Sequence, residues 1–154
     1  MIFFGPPGTG KTYVARELAR CICEADDHVE IVQFHPSYTY EDFVEGYRPH
    51  LHDGKQPGFR LTPGPLKRIV SRALDNPDES FVILIDEINR GNVAKVFGEL
   101  YFLLEYRDEN ISLQYNENEK FSLPKNLYVI GTMNTADRSI ALIDAVGSRY
   151  WNEP

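Results

Sequence analysis

The octet at residues 5–12, "GPPGTGKT", follows an apolar run, "MIFF", and precedes Val14, Ala15, Leu18 and Ile22 at helical spacing. A strand that turns through glycines and restarts as a helix is compatible with few folds. In that context the pattern G-x-x-x-x-G-K-[ST] is complete, and it describes a loop built to hold phosphate. Phosphate oxygens need many donors in a small space. Glycines let successive backbone N–H groups converge, and the start of a helix adds a favourable dipole. Gly5, Pro6, Pro7, Gly8, Thr9 and Gly10 are therefore candidates for the cradle. Lys11 supplies a point charge to the β- and γ-phosphates, and Thr12 supplies a hydroxyl to Mg²⁺. The glycine order differs from G-x-G-x-x-G, which sets the dinucleotide alternative aside.

Two further segments belong with this loop. "SFVILIDE" is an apolar strand ending in two carboxylates, the pattern of a buried parallel strand. Asp86 is placed to hold Mg²⁺, directly or through water. Glu87, one residue on, is placed to polarise an attacking water, because phosphoryl transfer asks mainly for positioning and charge stabilisation. The third segment, "GTMNTADRS", follows the apolar "LYVI". Its Asn-Thr-Ala-Asp string resembles the Asn-Lys-x-Asp tetrad that reads guanine, but lacks the lysine whose stem would stack on the base. In open α/β sheets ligands bind beyond the carboxyl ends of the strands. All three segments lie at such ends, so Asn134 is expected near the phosphates.

The rest of the chain supports an α/β fold with a mainly parallel sheet flanked by helices. Residues 29–34 read as a second strand. Thr39 and Asp42 suggest a capping box, with Gly46 as the helix stop. A Pro/Gly-punctuated insertion surrounds Asp53-Gly54. Helices are expected over 65–74 and 92–106, and from residue 140. "ISLQY" and "KFSLP" read as a β-hairpin insertion turning through "NENE". Tyr38, Tyr40, Phe43 and Tyr47 read as core aromatics, and Lys67, Arg68 and Arg72 as a solvated basic face. Cys21 and Cys23 read as two ordinary thiols. His50 and His52 would share a strand face but have no third metal ligand. With 154 residues and a net charge of −7, the chain has one domain's length and is not a general electrostatic binder of nucleic acid. No apolar run reaches membrane-spanning length, so a cytoplasmic location and no membrane partner are expected.

Taken together, "GPPGTGKTYVARELA", "FHPSYTYEDFVEGYRP", "IDEINRGNVAKVFGELYFLLEYR" and "NLYVIGTMNTADRSIALID" resemble the McrB-like AAA+ GTPase subunit of McrBC-type, modified-cytosine-specific restriction systems. The resemblance implies a P-loop NTPase of AAA+ type that assembles into a ring, usually a hexamer. It implies GTP hydrolysis with Mg²⁺, ATP being used by wider relatives, and stimulation by a nuclease subunit of McrC type. It implies translocation on DNA, with DNA recognition in a separate N-terminal domain. The strand before Asn134 should lie between the P-loop strand and the Asp86 strand, with Asn134 in the sensor-1 position. Arg149 becomes the candidate arginine finger, and Asp137 and Arg138 become candidates for contacts between subunits or with the partner. Residues 1–154 would be a partial AAA+ core, with strand 5 and the helical lid expected to be missing. The alternatives are an AAA+ ATPase remodelling a target other than DNA, or a truncated, non-catalytic nucleotide-binding fragment.

Overall fold

A strand of unbroken apolar residues is stable only if both of its faces are covered, and "FVILI" meets that condition. The computed structural model describes residues 1–52 and 56–136. In it the first five residues of the strand Phe81–Asp86 are all buried, at the middle of a four-stranded sheet. Numbered along the chain, the elements are β1 (Ile2–Gly5), α1 (Lys11–Ile22), β2 (Val29–Gln33), α2 (Tyr40–Phe43), β3 (Glu45–His52), β4 (Gln56–Pro63), α3 (Pro65–Asp75) and β5 (Phe81–Asp86). After them come α4 (Val93–Phe97), α5 (Leu100–Glu105), β6 (Ile111–Leu113), β7 (Asn116–Phe121) and β8 (Leu127–Asn134). The main sheet runs β1-β8-β5-β2, and every pairing in it is parallel. β8 therefore lies between the P-loop strand and the Asp86 strand, as expected.

Alternation along the strands divides the core into two layers. Val82, Leu84 and Ile130 face α1, where Ala15 and Ala19 are fully buried and let the helix approach the sheet closely. Phe81, Ile83, Ile85, Leu127, Val129 and Met133 face the other way, against α3, α4 and α5. An aromatic cluster closes that layer, with the rings of Phe34 and Phe43 edge-on at 5.5 Å and those of Phe43 and Phe97 at 5.2 Å.

Four local expectations are corrected. The segment around residue 53 is approached and left by strands: β3 and β4 pair antiparallel from Glu45↔Pro63 to His52↔Gln56. Gly46 lies inside β3 and stops no helix, although the capping box of Thr39 and Asp42 does open α2, with Thr39 N–H donating to Asp42 Oδ2 at 3.2 Å. The 92–106 helix is two helices, interrupted at Gly98, whose φ of 50° and ψ of −127° no side chain tolerates well. The second hairpin turns at Gln114 and Tyr115, and "NENE" forms strand β7. The helix expected from residue 140 lies outside the described residues.

Candidate nucleotide site

On β5 and β8 the alternation that buries Val82, Leu84 and Ile130 against α1 carries Asp86, Thr132 and Asn134 onto the same side of the sheet. α1 begins at that end. Gly5 pairs with Asn134, and the N–H of Thr135 donates to the Gly5 carbonyl at 3.1 Å, so the phosphate loop leaves the sheet directly beside Asn134.

The loop is held open by its own residues. Gly8 and Gly10 both have φ of 78°, a left-handed conformation that glycine adopts without steric cost, and Gly10 caps α1. The hydroxyl of Thr9 donates to the Pro6 carbonyl at 2.9 Å. Lys11 Nζ reaches back across the loop to the same carbonyl at 2.7 Å, and across to Asn134 Oδ1 at 2.7 Å.

The acidic half of the site is equally ordered. Asp86 Oδ1 accepts from the Thr12 hydroxyl at 2.7 Å and from the Thr132 hydroxyl at 2.5 Å. Glu87 follows with φ of 54°, the one non-glycine residue with positive φ among the described residues. For an L-residue that conformation costs about 1–2 kcal/mol. It turns the chain from the strand into the short 3₁₀ turn Ile88–Arg90. Glu87 N–H donates to Thr132 Oγ1 at 3.2 Å, and Asn134 Nδ2 donates to Glu87 Oε1. Arg90 Nε lies 3.5 Å from Glu87 Oε2, an oxygen that is buried and accepts no hydrogen bond among the described residues. Asn89, also buried, donates to the Asn134 carbonyl at 3.1 Å and fixes the turn against β8.

Between the two halves lies a cleft of about 400 Å³, lined by Lys11, Thr12, Glu87, Arg90, Thr132 and Asn134 with the loop glycines. Its chemistry is positive at Lys11 and the loop and acidic at Glu87, with Asp86 behind it on the hydroxyls of Thr12 and Thr132. Thr12 and Asp86 together offer the hard oxygen donors that Mg²⁺ prefers. Among the described residues no group of three or more His, Cys, Asp or Glu forms a metal cage. Mg²⁺ held by one or two protein oxygens plus substrate phosphates needs none, so the residues present fit that ion.

Every described residue singled out from the sequence for phosphate, metal or water falls in this one place. Arg149, Asp137 and Arg138 lie outside the described residues. Thr132, Asn89 and Arg90 were not singled out. The signal for Thr132 was the two-residue period of "TMN", which commits it to the same face as Asn134. No comparable signal marks Asn89 or Arg90, because a 3₁₀ turn has no long pattern. Among the described residues no helix is long and apolar enough to cross a membrane.

Known proteins share these features. A family model described as AAA domain (dynein-related subfamily) matches residues 1–149. The type IV methyl-directed restriction enzyme EcoKMcrB subunit of Escherichia coli (strain K12) is 47% identical over 152 residues, covering 94% of this chain and 32% of that protein. The type II restriction enzyme BsuMI component YdiS of Bacillus subtilis (strain 168) is 29% identical over 189 residues, covering 98% of this chain and 55% of that protein. The chain thus spans about a third and about half of these two relatives. A solved protein from Cytophaga hutchinsonii, itself provisionally assigned as an ATPase, superposes with a TM-score of 0.52 at 23% identity, over 89% of this chain and 34% of that one. That likeness concerns the fold. With the P-loop, the parallel sheet order and the family match in agreement, the chain belongs to the AAA domain family, dynein-related subfamily, of P-loop NTPases.

Proposed function

We propose that residues 1–154 are the partial AAA+ core of a McrB-like restriction motor, and that this core binds and hydrolyses a nucleoside triphosphate. The observation that carries the reading is the convergence of Lys11, Thr12, Glu87 and Asn134 on one cleft, with Asp86 bonded to Thr12 directly behind it. In this reading the loop from Gly5 to Thr12 binds the phosphates, with Lys11 on the β- and γ-phosphates. Thr12 and Asp86 hold Mg²⁺, which when bound neutralises phosphate charge. Glu87 polarises the attacking water. Asn134 touches the γ-phosphate and orients Glu87, so that the water is activated only when the triphosphate is in place. Arg149, outside the described residues, is proposed as the finger that a neighbouring subunit's site receives.

The wider role follows the relatives. The motif resemblance to McrB-like subunits implies GTP as substrate, with ATP as the competing nucleotide, and the 47% identity to a methyl-directed restriction subunit agrees with that resemblance. The same resemblance implies assembly into a hexameric ring, stimulation by a nuclease subunit of McrC type, action on DNA through the whole complex, and a cytoplasmic location. None of these roles rests on "NTAD" as a base reader: Asn134 is already committed to Lys11 and Glu87.

The test is a pair of measurements on the intact protein with its partner. Glu87→Gln should abolish Mg²⁺-dependent turnover while a fluorescent GTP analogue still binds. Unchanged turnover in that variant would remove Glu87 from the assignment. Competition between GTP and ATP for the same site then decides the base.

A further inference from the structure

We infer that Thr132 is the positioning residue of this site, setting both Asp86 and Glu87 through a single hydroxyl. The inference rests on the reading of the cleft as a Mg²⁺-dependent nucleotide site. A threonine hydroxyl has one hydrogen to give and lone pairs to accept with. Here the hydrogen goes to Asp86 Oδ1 at 2.5 Å, and the oxygen accepts Glu87 N–H at 3.2 Å. The register of β5 on β8 ends at Ile85↔Gly131. Glu87 N–H therefore lies past the ladder, and it is Thr132 that satisfies it.

The two hydroxyls on Asp86 are not equivalent. Thr12 sits at the start of α1 in the loop and is itself a candidate Mg²⁺ ligand, so its hydroxyl would be shared between Asp86 and the cation. Thr132 is 2% exposed and lies on a central strand. Its bond can persist. With Oδ1 accepting from Thr132, the rotation of the carboxylate is restrained, and Oδ2 is the oxygen that would serve the cation or its water. The same hydroxyl steadies the left-handed turn that points Glu87 at the cleft. Thr132 borders the cleft, but in this scheme its hydroxyl is engaged with Asp86 and with Glu87 N–H, and it acts through those two neighbours.

The variants to make in the intact protein are Thr132→Val, which keeps the shape and removes the hydroxyl, and Thr132→Ser, which keeps the hydroxyl. Binding of fluorescent GTP and ATP analogues is titrated in EDTA and across Mg²⁺ concentrations, and turnover is measured alongside. Loss of an outer partner of a metal ligand typically weakens metal affinity roughly 10–100-fold. Thr132→Val should therefore need about 10-fold or more Mg²⁺ for half-saturation while binding nucleotide normally in EDTA. Thr132→Ser should return both Mg²⁺ dependence and turnover close to wild type. A purely structural role would weaken binding in EDTA as well, and serine would not restore the Mg²⁺ dependence selectively. If the valine variant does not fold, Thr132→Cys carries the same test with a weak donor in place. Wild-type Mg²⁺ dependence in the folded valine or cysteine variant overturns the inference alone. A wild-type protein whose nucleotide binding ignores Mg²⁺ overturns the inference and the proposed function together.

Discussion

Lys11 Nζ donates to Asn134 Oδ1 at 2.7 Å, joining the phosphate loop to the end of β8 across 123 positions of sequence. The other end of the same amide donates to Glu87. One side chain therefore connects the group that meets phosphate to the group that meets water. An ammonium has three hydrogens; two are engaged, with Pro6 and Asn134, and one is left for an incoming phosphate. A nucleotide that draws on Lys11 also acts on Asn134, and through it on Glu87.

Replacing Asn134 with alanine should separate binding from hydrolysis. Lys11 and the loop remain, so affinity for a non-hydrolysable analogue should fall far less than turnover, although the bond that Asn134 would give to the γ-phosphate is charge-assisted. Turnover should fall about 10²–10³-fold, the range seen when one preorganised polar contact to a developing charge is removed. Single-turnover hydrolysis with the partner present reads both quantities. A loss of affinity as large as the loss of rate would place Asn134 in ground-state binding instead.

The halves of this structure differ in how openly the sequence declares them. The P-loop and β5 are legible because each is overdetermined: glycines where the backbone needs them, and apolar residues on both faces of a strand. The hairpin β3–β4 was hidden by Pro49, Pro57 and Pro63, which ordinarily argue against strands. In a ribbon of two strands each strand is an edge, and proline is tolerated there. The turn of the second hairpin was misplaced for a different reason. "NENE" has turn composition, but Tyr115 packs on the rings of Tyr40 and Tyr47 and donates to Glu41 at 2.6 Å. Those tertiary contacts place the turn two residues earlier. At the site itself, residue types showed which groups belong there. The left-handed Glu87 and the doubly bonded Thr132 depend on how two strands end side by side, which no single segment encodes.

Gly98 offers a test of the helix break. Val96, Phe97, Leu100 and Leu103 are all buried, so the apolar pattern runs through the break as though one helix continued. The backbone at Gly98, with φ of 50° and ψ of −127°, is open to glycine alone. Gly98→Ala should destabilise the fold by about 1–3 kcal/mol, measurable by urea denaturation. The added methyl meets Tyr40 only at ordinary contact distance, 3.5 Å, so the cost should come from the backbone. A neutral or stabilising substitution would mean that a continuous helix is accessible.

Lys67 on α3 makes a partly buried junction, with one fully buried carboxylate, that should behave unlike a surface ion pair. Its Nζ lies 2.7 Å from Glu45 on β3 and 2.7 Å from Glu119 on β7, tying one helix to both hairpins. Burial works against the ammonium, but the hydrogen bonds with Glu119 and Glu45 outweigh it and hold its pKa above the ordinary value. The Glu45 side chain is only 2% exposed. Lys67→Met strands that carboxylate and should cost about 3–5 kcal/mol. Adding Glu45→Gln to it should recover a large part of the loss, because the stranded charge is removed. Equal stability of the single and double variants in thermal melts would contradict a desolvated pair.

Tyr115 and Glu41 give a pH-dependent prediction with a definite sign. The hydrogen bond from the Tyr115 hydroxyl is the leading cause that lowers the Glu41 pKa below its ordinary 4.5. A carboxyl with a lowered pKa in the folded state adds stability in full above its unfolded value, and that stability is lost as pH falls through the folded one. Tyr115→Phe should therefore destabilise the protein at pH 7, by about 0.5–1 kcal/mol once the partial exposure of Glu41 is allowed for. The gap between wild type and variant should stay constant down to about pH 5 and shrink below it, as protonation removes the charge that the hydroxyl serves. Urea midpoints measured from pH 7 to pH 3.5 follow this directly. A gap that did not shrink on acidification would show that the Tyr115 hydroxyl stabilises the fold by something other than its bond to the Glu41 charge.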